Sequence, residues 1–139
     1  MAGRFLFVYG TLRRDPAHQL ASLLASKARF VGAASVPGQL FDLGDYPGMI
    51  SREGAAVVHG EIYEVGRDRW RDLITTLDRY EGCAPEDPEP HEYSRRLVEA
   101  RLQSGEKLKV WAYLLNEPVA GLPEIKSGDY LDWVASRRA

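Results

Sequence analysis

Hydrophobic and polar positions follow two different periods along this chain. Phe5, Leu6, Phe7, Val8 and Tyr9 form an unbroken apolar run, which reads as a buried strand. It stops at Gly10-Thr11-Leu12, and Arg13 and Arg14 then belong to solvent. Leu20, Leu23 and Leu24 share one face of a helix predicted over 17–27. Strand-like runs follow at 28–36, 38–43 and 55–65, punctuated by Pro37-Gly38, Gly44-Asp45 and Tyr46-Pro47-Gly48. The clearest helix spans 67–82, where Trp70, Leu73, Ile74 and Leu77 keep the spacing of an apolar stripe. Asp68 suits its first turn and Gly82 its C-terminal cap. Two more strands, 93–102 and 107–116, are joined by Ser104-Gly105-Glu106, and a short helix closes the chain near 128–136. Strands outnumber helices and mostly follow one another directly, which predicts a mixed, largely antiparallel sheet or barrel.

Composition narrows the function classes. A chain of 139 residues with 45% hydrophobic positions is read as one domain, 1–139, with a core of its own. The net charge of −2 and the scattered arginine pairs leave no basic footprint for nucleic acid. Cys83 is the sole cysteine, so no intramolecular disulfide can form. No signal-peptide core and no membrane-length apolar stretch is present. The expectation is a cytoplasmic protein without nucleic-acid or membrane partners; its oligomeric state is left open. Three dispersed histidines lack metal-ligand spacing, and no phosphate-cradling glycine motif occurs. Neither metal nor cofactor is expected.

One residue breaks its pattern. Eleven residues separate Trp70 from Glu81, about three turns at about 3.6 residues each. The apolar stripe therefore extends onto a carboxylate beside the last turn of a helix. Burial and the negative end of the helix dipole both oppose its charge. Such a carboxyl has the raised proton affinity a general base needs. The alternative is a Glu81 that rolls outward at a frayed end into a surface ion pair. Glu61, between His59 and Tyr63 on one strand, reads more readily as a structural carboxylate than a catalytic one. Cys83 near His59 or His91 could serve as a thiol nucleophile, although a cysteine beside a helix end is commonly a small apolar filler.

The string from Phe5 to Arg14 remains ambiguous on its own, because either a hairpin or a binding loop accounts for Gly10. "VYGTL" (8–12), "YPG" (46–48), "GEIY" (60–63), "LDRYEG" (77–82), "YSR" (93–95) and "WAY" (111–113), in this order, resemble the γ-glutamylcyclotransferase family in its γ-glutamylamine cyclotransferase and AIG2-like branch. The resemblance runs from Phe7 to about Leu114. It implies an α+β fold, a six-stranded mixed β-barrel with helices packed outside. It implies a reaction in which a γ-glutamyl group closes to 5-oxoproline and expels its attached amine or amino acid. By the same resemblance Glu81 is the general acid/base, and Tyr9, Gly10, Thr11 and Leu12 form the loop that binds a small-molecule γ-glutamyl substrate. This reading favours the binding loop over the hairpin, since successive backbone N–H groups make an anion-binding concavity. After Gly82 the chain departs from the family pattern, and its acidic, proline-rich loop 85–90 is expected to border the pocket and bias substrate choice. A non-catalytic ligand-binding or protein-interaction module that retains the pocket, and a Cys83-dependent amidase, are the rival readings.

Overall fold

The computed structural model describes residues 4–10, 19–44, 46–54, 56–116 and 118–138. The elements are β1 (Arg4–Val8), α1 (Gln19–Lys27), β2 (Arg29–Asp42), β3 (Pro47–Ser51), β4 (Val57–Val65), α2 (Arg67–Tyr80), β5 (Tyr93–Leu102), β6 (Lys107–Leu115) and α3 (Tyr130–Arg138). The strands form one sheet in the order β3-β2-β4-β1-β6-β5, and β2 pairs again with β5. Five strands thus close into a barrel, with β3 appended beside β2. β1 runs parallel to β6 and antiparallel to β4, and the remaining pairs are antiparallel. This mixed six-stranded sheet, closed over five strands and packed by helices, is the barrel architecture that the family resemblance implied.

Two apolar cores explain the unbroken run at the N-terminus. Phe7 packs inward with Val36, Leu40, Val58, Ile62 and Val110. Its neighbours Leu6 and Val8 point the other way and join Leu24 of α1 and Leu73, Ile74 and Leu77 of α2. Successive side chains of a strand face opposite sides, so β1 needs apolar residues at each position from Phe5 to Val8. Each such side chain contributes about 1.5–3 kcal/mol on full burial. β1 and β2 both pair with β4 and not with each other. The strand before Gly10 therefore does not enter a hairpin.

Two boundaries differ from the sequence reading. The runs 28–36 and 38–43 are one strand, because β2 passes through Pro37-Gly38 by changing partner. Pro37 ends the ladder with β4 opposite Val57, and Gly38 opens the ladder with β3 opposite Ser51. A Cβ on Gly38 would run into the Ile50 carbonyl, so the crossing strand comes close only because that residue is glycine. The predicted turn at 46–48 is instead the start of β3, which the punctuation concealed. The helices fall close to their predicted spans; residues 11–18, which include the predicted start of α1, lie outside the described part.

Candidate active site

Glu81 sits where the stripe of α2 predicts. Leu73, Ile74 and Leu77 are buried, and Glu81 follows them as the half-buried C-cap residue. Its N–H donates to the Leu77 carbonyl at 2.9 Å. Gly82 has φ +73°, and its N–H donates to the Arg79 carbonyl at 3.2 Å while that of Cys83 reaches Asp78 at 2.9 Å. These two bonds make a Schellman motif, which a left-handed glycine completes. The helix end is closed, not frayed, and Glu81 cannot roll outward freely.

Burial pushes the Glu81 carboxyl up to about 7, and the Glu92 and Asp78 carboxylates add to the shift. Among the described residues, no side chain donates a hydrogen bond to it. The carboxylate thus sits in a shielded position.

The surrounding walls come from distant segments that meet at one end of the barrel. Tyr9, just past β1, is buried; its hydroxyl donates to the Tyr113 carbonyl at 2.6 Å and accepts from the Met49 N–H at 3.3 Å. Gly10 lies against Pro47, where a Cβ would come within 2.8 Å of the ring. The Tyr93 hydroxyl donates to the Pro47 carbonyl at 2.7 Å. Tyr46 donates to both Glu92 oxygens at 3.0 Å, and its ring centroid is 6.3 Å from that of Tyr93. Burial first, then the Glu81 charge, raises the Tyr9 hydroxyl pKa; burial, Tyr9 and Glu81 do the same to Tyr93. Both phenols are neutral donors beside the carboxylate.

Tyr9, Gly10 and Glu81 are therefore brought together, while Thr11 and Leu12 lie outside the described residues. Cys83 is adjacent but unsuited to attack. Burial and the Asp78 carboxylate push its thiol up to about 11, and its sulfur lies 4.0 Å from Asp78 Oδ1. His91 contacts the Asp87 carbonyl and His59 is exposed. Glu61 accepts a long hydrogen bond from Tyr63 at 3.4 Å. The acidic segment is largely engaged with its own surroundings: Arg79 pairs with Glu86 at 2.9 Å, and Asp87 accepts from the Ala84 N–H at 2.9 Å. The carboxylate that acts on Glu81 from this direction is Glu92, which lies beyond the loop 85–90. Sequence reasoning did not assign Tyr46, Asp78, Glu92 or Tyr93, although all but Glu92 lie within the motifs quoted above.

Residues 6–132 match the family described as gamma-glutamyl cyclotransferase, AIG2-like. The chain belongs to that family. It is 33% identical over 128 residues to the gamma-glutamylcyclotransferase family protein YtfP of Escherichia coli K12, covering 91% of this chain and 96% of that protein. The solution structure of E. coli YtfP superposes with a TM-score of 0.59 at 31% identity, covering 94% of this chain and 98% of the other. An AIG2-like protein from Mus musculus gives a TM-score of 0.69 at 25% identity, covering 94% and 89%. Among the described residues, no helix is long and apolar enough to cross a membrane.

Proposed function

We propose that this cyclotransferase-family protein closes a γ-glutamyl group to 5-oxoproline and releases the amine or amino acid attached to it. The observation that carries this reading is Glu81, a shielded carboxyl with a pKa raised to about 7, fixed by a capped helix end beside Tyr9 and Gly10. Family membership supports the reaction class.

The α-amine of the substrate attacks its own γ-carbonyl, so a C–N bond forms within one molecule and gains the effective concentration of an intramolecular step. At neutral pH that amine arrives as an ammonium, and the departing nitrogen needs a proton. The ammonium gives one proton to solvent before attack, and Glu81 takes a second from the attacking nitrogen and returns it to the departing one as the original C–N bond breaks. No water is consumed. A carboxyl that titrates near the working pH can do both jobs. The segment from Tyr9 to Leu12 holds the substrate carboxylate and the developing oxyanion. Since the Tyr9 hydroxyl is engaged by Tyr113 and Met49, its share in binding falls to its main chain and ring.

The test is incubation with a panel of γ-glutamyl amines and γ-glutamyl amino acids, followed by mass spectrometry. Release of 5-oxoproline with the free amine is expected. Release of glutamate would indicate a hydrolase, and no release from any member would indicate a binding module.

A further inference from the structure

A second carboxylate, Asp78, stands one turn before Glu81 on α2 and is held from several sides. Arg95 of β5 donates to its two oxygens at 2.9 and 3.2 Å. The Tyr113 hydroxyl of β6 donates to it at 2.7 Å. Arg95 also lies over the Trp111 ring, 4.9 Å from its centroid. With side-chain exposures of 25% for Arg95 and 16% for Asp78, the pair is shielded enough for a fixed geometry. Two further bonds connect Asp78 to the site. Its main-chain carbonyl accepts the Cys83 N–H that closes the turn around Glu81. Tyr113, which holds its side chain, accepts the Tyr9 hydroxyl through its own carbonyl.

We propose that Asp78, clamped by Arg95 and Tyr113, is the positioning residue for Glu81: it fixes the turn that carries the carboxylate and sets when that carboxylate takes up a proton. This rests on the reading of Glu81 as the proton carrier. Among the described residues, the groups facing Glu81 are Tyr9 after β1, Asp78 on its own helix, Cys83 past the cap, Glu92 before β5 and Tyr93 on β5. Within this set Asp78 favours the protonated form of Glu81, as does Glu92. Arg95 neutralises Asp78 and so limits that effect. Removing one partner of the pair should therefore move Glu81 in one direction, and removing the other should move it back.

The experiment titrates the Glu81 carboxyl carbon by NMR, identified by its loss in Glu81→Gln, alongside the pH dependence of kcat/KM. Asp78→Asn removes a negative charge and leaves Arg95 unpaired. It should lower the Glu81 midpoint by on the order of one pH unit. Arg95→Gln should raise it, and the double variant should return near wild type. Should Asp78→Asn not fold, Arg95→Gln still reads the opposite arm, and Arg95→Lys, which keeps charge but loses the two-pronged clamp, should preserve the midpoint while lowering kcat. Midpoints that stay in place, or that move the same way in both single variants, would overturn the proposal. Midpoints that move as described over a pH–rate profile that does not follow would overturn instead the assignment of Glu81 as base.

Discussion

Glu81 and Cys83 stand two residues apart, and burial acts on both, with opposite consequences. For the carboxyl it produces a group that titrates near neutrality; for the thiol it suppresses the nucleophilic form, because only the thiolate attacks. Cys83→Ser should therefore keep most of the turnover, and iodoacetamide should label the wild type slowly at pH 7. Complete loss of turnover in a folded serine variant would favour the thiol-dependent reading. Gly10 is a different kind of site residue, since it matters for what it lacks. A methyl group there would press on Pro47 and separate the loop from the Tyr46–Glu92 side. Gly10→Ala should lower kcat/KM by on the order of ten- to a hundredfold, the scale of a small misplacement, with normal far-UV circular dichroism. Glu81 was legible in the sequence because it continues a helical period. Tyr46, Glu92 and Tyr93 were not, because their neighbours in space lie far away in the chain and no local period marks them.

At the scale of elements, the end of α2 does the positioning. Gly82 occupies a left-handed conformation with φ +73°, and an added Cβ would meet nothing within 4 Å. The strain of Gly82→Ala is therefore conformational alone, about 1–2 kcal/mol. A thermal midpoint lowered to match, with a fall in kcat larger than in substrate affinity, would show that the turn positions Glu81. An unchanged kcat would show that Glu81 tolerates a loosened cap. The sequence located this helix well, as stripe, first-turn acid and terminal glycine all agree. It divided β2 wrongly for an equally physical reason. Pro37-Gly38 ordinarily ends a strand, but here it marks the point where one strand exchanges β4 for β3. Only the pairing, which is non-local, distinguishes the two cases.

For the molecule as a whole, the carboxylate at the barrel end carries a cost in stability with a defined pH window. The folded protein holds the Glu81 proton up to about 7, whereas an unfolded chain releases it near about 4.3. Between these limits the folded state binds more protons, so this group makes stability fall as pH rises; the loss is complete above the upper limit and absent below the lower one. Its full size is on the order of 3–4 kcal/mol. The barrel tolerates it because two separate cores, one inside and one beneath α1 and α2, flank β1 from Phe5 to Val8. That double burial was visible in the five-residue apolar run, while the closure of β2 onto β5 was not. Glu81→Gln tests site and fold together, and it is the most direct measurement of the central claim. The variant should fold, with a thermal midpoint above wild type at pH 8 and equal to it below about pH 4. It should still bind 5-oxoproline, and its kcat on a γ-glutamyl substrate should fall by on the order of 10²–10⁴. A folded Gln variant that turns over near the wild-type rate would contradict the role of Glu81 as proton carrier.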